Sequence, residues 1–152
     1  MLLEVLLAAA CLLAICAALT VSVRGLQRYY YKTQVRLAAD TFAADIRWLQ
    51  QETMFSTAKF SKTLYVDADE KKSYSIYVND YNSPLVKKVV FAEIGLSGVY
   101  FDDSKLKISF ANNGSPKENG THLLRHEKLQ NFYCRLSLQP VTGRVTVTEY
   151  GS

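Results

Sequence analysis

The side chain in the least comfortable setting in this chain is that of Glu4. It stands in the run LLEVLLAAACLLAICAALTVSV (Leu2–Val23), and no further charge follows it until Arg24. A carboxylate in such an apolar helix costs on the order of 2.5–3.5 kcal/mol at the bilayer centre and marks a function or a partner. The positive charge nearest to hand in an array of such helices is a neighbour's N-terminal amine, which makes Glu4 the candidate assembly residue. A second setting is open to it. One turn from the helix start, at headgroup level, the carboxylate costs little and suits the helix dipole.

The other reactive residue types do not combine into a catalytic or metal centre. His122 and His126 are the only histidines. On one strand they share a face but sit about 13 Å apart, too far for a common ion. Glu127 beside them brings no third ligand at a workable spacing, so both are expected on the surface or on an edge strand. Asp67, Asp69 and Glu70 look like half a calcium loop, without its sixth-position Gly and distal bidentate Glu. A solvated hairpin turn is the better reading. Gly95-Leu96-Ser97-Gly98 is not the G-x-S-x-G elbow of a serine hydrolase, and no Gly-rich loop is built to cradle phosphate. Cys11 and Cys16 lie in the apolar run, five apart and on different faces, as small hydrophobes. Cys134 alone lies outside it, so it has no exterior disulfide partner. It alternates with Phe132, Leu136 and Leu138, which turns its thiol inward as a structural group. No cofactor, metal site or catalytic residue is expected.

The element that positions Glu4 is the run itself. At 1.5 Å per residue, roughly 19 uncharged residues span close to the ~30 Å of bilayer hydrocarbon, and Leu and Ala favour helix. A secretory signal peptide fits less well: the start is acidic, the apolar run too long, and Ala17-Ala18-Leu19 a poor cleavage site. Arg24, Arg28 and Lys32 with Tyr29, Tyr30 and Tyr31 have the composition of a membrane–water boundary. The net charge of +4 is partly accounted for there and is no nucleic-acid footprint by itself. Without a Pro or a linker, Val35, Ala39, Phe42, Ile46, Leu49 and Thr53 then draw one stripe along a helix, with Arg36, Asp40, Arg47, Gln50 and Gln51 off it. A single helix therefore runs to about Met54.

Beyond it the chain reads as strands at Lys62–Asp67, Tyr74–Val78, Lys88–Ala92, Val99–Asp102, Lys105–Phe110, Thr121–His126, Phe132–Leu138 and Arg144–Thr148. Turn residues separate them at Asp67–Lys72, Asn79–Pro84, Asp102–Ser104 and Asn112–Pro116. Their alternation suits an antiparallel sheet with one face covered, and the helix stripe supplies the cover. The expected class is α+β. Residues 1–23 form a membrane-spanning helix, residues 24–55 its amphipathic continuation, and residues 56–152 one antiparallel β domain.

LLEV followed by a long apolar helix resembles the mature N-terminus of type IV pilins and pseudopilins. LAADTFAADIRWLQQETM (Leu37–Met54) is similar to the helix of one branch. That branch holds the minor pseudopilin H of type II secretion, its pilus-biogenesis relative FimT, and the D-type competence pseudopilins of Gram-positive bacteria. ISFANNGSPKENGT (Ile108–Thr121) and TGRVTV (Thr142–Val147) resemble the F-x-x-x-G…G-T and G-R strands of the same branch. In the family the carboxylate is the fifth mature residue, behind a leader ending in Gly. Met1 would then hold the second mature position, with a Gly–Phe pair and a basic leader before it. Many members also carry a Pro late in the apolar helix, where this chain offers only Gly25.

The resemblance implies a non-enzymatic minor pilin-like subunit of a type IV filament machine, for DNA uptake in competence or for type II secretion. Its partners would be other pilins through the N-terminal helix, a prepilin peptidase acting on a leader, and the cytoplasmic membrane, and its mature amine is often methylated. The globular domain would lie outside the cytoplasm, although basic residues after the span favour the opposite orientation. In a bacterial protein the sequon Asn119-Gly120-Thr121 is incidental. Some relatives bind DNA through a Gly-Arg-x-Arg region, of which Gly143-Arg144-Val145-Thr146 keeps the first Arg. Lys117, Arg125, Lys128, Arg135 and Arg144, with Phe132 and Tyr133 nearby, are the candidate DNA-binding residues. The alternative from another class is a membrane-anchored extracytoplasmic binding or sensor domain that never polymerises.

Overall fold

The structure, a computed structural model, describes residues 2–56, 61–67, 71–79, 83–102, 106–118 and 120–151. Among these residues one helix, α1 (Leu2–Phe55), is followed by eight strands. These are β1 (Lys62–Val66), β2 (Ser73–Val78), β3 (Leu85–Val90), β4 (Val99–Phe101), β5 (Lys107–Ser109), β6 (Gly120–His126), β7 (Leu129–Leu138) and β8 (Val145–Tyr150). Each overlaps an expected strand, but β3 starts three residues before Lys88 and ends two before Ala92, and β7 starts three residues before Phe132. The expected turn residues Ala68–Glu70, Asp80–Asn82 and Asp103–Ser104, the strand start Lys105, and Asn119 of the sequon lie outside the described residues, as does Met1.

The strands form two four-stranded antiparallel sheets rather than one, in the orders β3-β2-β1-β5 and β4-β6-β7-β8. The split arises from non-local pairing. β5 returns to lie against β1, with Leu64 opposite Ile108, while β4 pairs with β6, with Phe101 opposite Leu124. Both sheets turn their apolar faces to α1, which packs on β6, β7 and β8 of one sheet and on β1 and β5 of the other. The expected stripe of Val35, Ala39, Phe42, Ile46, Leu49 and Thr53 is fully buried there, joined by Ala38 and Ala43. Each large side chain so buried contributes about 1.5–3 kcal/mol.

Phe42 is the pivot of this core. Its ring meets Tyr74 of β2 at 5.0 Å and Phe101 of β4 at 4.9 Å, both edge-on. Phe91, just after β3, closes the group 5.4 Å from Phe101. Helix and both sheets therefore share one aromatic cluster, in which Phe42 makes the edge-to-face contacts that ring quadrupoles favour. One carboxylate is buried beside it. Asp45 accepts from the Tyr74 hydroxyl at 2.6 Å and from the Lys87 ammonium at 2.6 and 2.8 Å. Burial first, and Asp45 second, push the Tyr74 phenol far above its usual range. Lys87 sits on edge strand β3, and an inward-turned charge at a sheet edge also discourages pairing with another chain.

At its far end α1 is tied down by Gln50. The side-chain amide donates to the carbonyls of Gly114 at 2.7 Å and Thr142 at 2.9 Å, joining loops from both sheets. The motif residue Gly143 stands against this junction with φ of 65°, where an added Cβ would run into the Gln50 amide and the Gly114 carbonyl. Only glycine meets both demands without strain.

Candidate assembly interface

The first half of α1 stands clear of the domain. Its apolar window has a mean hydropathy of 2.6 and none of it is buried, which makes the helix long and apolar enough to cross a membrane. Val5, Leu6 and Leu7, successive residues about 100° apart around the helix, are each about 60–70% exposed, so no single stripe seeks the domain. Apolar area of this extent is stable only in lipid or against other helices. The polar residues of the rod fit either setting. Thr20 donates to the Ala17 carbonyl at 2.8 Å and Ser22 to that of Ala18 at 3.0 Å, so both hydroxyls are satisfied within the helix. Cys11 and Cys16 lie on the exposed rod. Glu4 lies in the first turn of α1, where the helix dipole favours a carboxylate and where a side chain can face a neighbouring helix.

Gly25 does not break the rod. α1 continues through it without interruption, and no neighbouring atom approaches the space a Cβ would fill. The change of environment comes at Tyr31–Val35, where the domain begins to cover one face. Gln34 is 5% exposed and organises that transition. Its amide donates to the Tyr30 hydroxyl and the Gly95 carbonyl, both at 3.0 Å, and its oxygen lies 3.1 Å from His126 Nε2.

His126 is therefore not a surface or edge-strand residue, as its sequence context suggested. β6 is paired on both sides, by β4 and by β7, and the imidazole is 3% exposed against α1. Its ring stacks on Tyr31 at 4.5 Å, and Nδ1 accepts the Lys128 backbone N–H at 3.0 Å. An accepting Nδ1 and a donating Nε2 define the neutral imidazole. Burial accordingly lowers the pKa of His126 below its ordinary value, against a smaller raising effect from the Ser97 backbone. His122, on the same strand, is half-buried and pairs with Leu136 of β7, beyond the stretch Leu124–His126 that β4 covers. Cys134 is fully buried, and burial pushes its thiol up to about 11, well away from a reactive thiolate. Among the described residues no cluster of His, Cys, Asp and Glu is placed to hold a metal ion. Asp69 and Glu70 of the acidic turn lie outside those residues.

The five candidate DNA-binding residues do not converge on one patch. Arg125 and Arg135 share the outer face of the second sheet, each one strand away from an aromatic or apolar neighbour: Arg125 opposite Tyr133, Arg135 opposite Leu123. The Arg125 guanidinium donates to Asp102 at 2.8 Å and lies 4.9 Å from the Tyr133 ring, which in turn stacks on Tyr150 at 5.2 Å. Arg135 reaches Thr121 at 3.4 Å. Lys128 is in the β6–β7 turn and Arg144 in the β7–β8 turn, at opposite ends of β7 and so about 30 Å apart. Lys117 belongs to the other sheet, its backbone N–H donating to Ser109. Phe132 is buried, with Lys32 and Arg36 over its ring at 5.2 and 5.7 Å. The forked pair of Arg36 with Glu149, both bonds 2.7 Å, joins α1 to β8 and carries no sequence signature, because 113 residues separate its members.

A continuous helix, half of it bare and half laid across antiparallel sheets, is the fold of type IV pilins. Among solved structures the chain is similar to the type IV minor pilin FimU of Pseudomonas aeruginosa (strain PAO1), with a TM-score of 0.61 and 17% identity over 76% of this chain and 89% of that one. At that identity the likeness is one of fold. No protein-family model matches the chain, and neither does any curated protein.

Proposed function

We propose that this chain is a non-enzymatic, minor pilin-like subunit of a type IV filament machine, held in the cytoplasmic membrane until it assembles through the first half of α1. The observation that carries the reading is the unburied apolar rod, continuous with the core helix of the domain and bearing Glu4 in its first turn. Before assembly the rod spans the bilayer with the domain outside the cytoplasm. On assembly it exchanges lipid for sister helices, and Glu4 meets the N-terminal amine of a neighbour processed by a prepilin peptidase. The likeness to a minor pilin supports this reading over a solitary anchored sensor. DNA uptake and protein export are both served by such machines, and either suits these residues.

Glu4→Ala tests the proposal. The variant is expected to insert in the membrane as the parent does, while its co-purification with other filament subunits falls on the order of tenfold, in line with the loss of a charge pair in lipid. Incorporation equal to the parent's would refute the assembly role. An unprocessed N-terminus by intact mass, in a protein that is always solitary, would favour the sensor reading. A DNA contact rests on the Arg125–Tyr133–Tyr150 stack with Arg135 beside it, a basic and aromatic face of the kind that single strands stack on. Labelled DNA titrated against the full chain at two salt concentrations decides it, since binding that ignores salt, or none, removes DNA from the partners.

A further inference from the structure

The helix face that packs on the domain does not stop where the domain stops. Above Gln34 it carries Val35, Ala38, Ala39 and Phe42; one and two turns lower it carries Tyr31, Arg28, Gln27 and Arg24, at the same helical spacing. The β6–β7 turn hangs beside this stretch, and between the two lies an open cleft of about 350 Å³. Arg24, Gln27, Arg28 and Tyr31 form one wall, and Lys128 and Asn131 stand on the other. Among the described residues, the cationic side chains of Arg24, Arg28 and Lys128 line the cleft and no carboxylate does. The acid closest in sequence, Glu127, pairs with Lys72 at 2.7 Å. Lys128 is held over the Tyr31 ring at 5.6 Å. The opposite side of the same turns is apolar and aromatic, with Leu26 70%, Tyr29 63% and Tyr30 56% exposed.

We infer that this cleft binds the phosphate of an anionic phospholipid headgroup, seating the domain against the bilayer surface. The inference rests on the proposal that the first half of α1 spans a membrane. Depth agrees with it. Arg24 follows directly on the apolar run, and Arg28 is about 6 Å further along the axis, so both fall within a headgroup layer roughly 5–7 Å thick. Chemistry agrees as well. The planar fork of Arg matches phosphate oxygens in pairs, a Lys adds a point charge, and the Gln27 and Asn131 amides suit the ester and glycerol oxygens. Basic pockets beside a membrane span recognise anionic headgroups in this way. The aromatic side of the helix would face the acyl boundary while the basic side holds the headgroup.

The test uses the full chain in nanodiscs of equal parts phosphatidylcholine and phosphatidylglycerol, with retained lipid identified by native mass spectrometry. Phosphatidylglycerol is expected to be retained in preference, and the preference to fall about fivefold in each of Arg24→Gln and Lys128→Gln. Lys88→Gln, on the exposed edge strand β3, should leave it unchanged. Equal retention of the two lipids by the inserted protein, or a preference untouched by both cleft variants, overturns the headgroup assignment alone. Displacement of the lipid by soluble glycerol phosphate at a matching concentration would make this a free-phosphate site and also overturn it. A chain that fails to enter the nanodisc overturns the membrane proposal itself.

Discussion

The two halves of α1 share one backbone and differ in what surrounds them. In the half that carries Phe42, Ile46 and Leu49, apolar residues keep to one stripe because water claims the other side. In the half that carries Leu3, Leu7 and Leu13 they go all round, and no side is set apart for water. The difference teaches that hydrophobic content does not locate a core. Periodicity does. A helix that is apolar on every face is asking for lipid or for other helices, and the domain has covered none of it.

The comparison is broken most decisively by a pair of truncations. Phe42→Ala removes the ring common to α1 and both sheets and is expected to cost about 3–5 kcal/mol of domain stability. Leu12→Ala removes a similar apolar mass from the bare half and should leave domain stability within about 0.5 kcal/mol. Both are read from denaturant unfolding of the full chain in detergent, followed by Trp48, the only tryptophan in the chain. A Leu12 effect as large as that of Phe42 would mean the bare half is part of the folded core.

Asp45→Ala comes next. It strands the Tyr74 hydroxyl and takes away the acceptor of Lys87, for an expected loss of about 1–3 kcal/mol in the same measurement. Gly143→Ala should cost about 1–2 kcal/mol, since a Cβ at positive φ is strained and would also displace Gln50. The smallest effect sharpens the boundary between the halves. His126 is held neutral between Gln34 and Tyr31 of α1, with Glu127 and Lys128 following it on its own strand end. Its folded pKa is lowered, so the unfolded chain binds more protons just below the ordinary imidazole value, and stability is full above pH about 6.5 and declines as pH falls below it. His126→Asn should flatten that slope in thermal melts taken across the range.

Much of this architecture is written in local pattern. The stripe from Val35 to Thr53, the eight strands and the inward thiol of Cys134 follow from spacing alone, because each depends on neighbours within a few residues. What escaped is non-local. β5 reaches back to β1 and β4 reaches forward to β6, so the division into two sheets has no signal in any one segment. β3 begins at Leu85 rather than Lys88 because its exposed edge imposes no alternation; its burial begins only at Val89. Nothing local singles out Asp45 until Tyr74 and Lys87 are brought to it. His126 reads as surface until Gln34, 92 residues earlier, covers it. The basic candidates scattered for the same reason: Arg125 and Arg135 share a face by strand parity, but nothing in sequence says that Lys128 and Arg144 end up at opposite poles of β7.

The uninterrupted passage of α1 through Gly25 has a mechanical consequence. A tug on the N-terminal end meets no hinge before Tyr31, so the strain travels undiminished to the turns that hold Phe42 and, at the far end, to Gln50. There it is divided between two sheets, through the loop carbonyls of Gly114 and Thr142 that Gln50 holds. A chain built so passes a pull on its tail to the whole of its globular head at once.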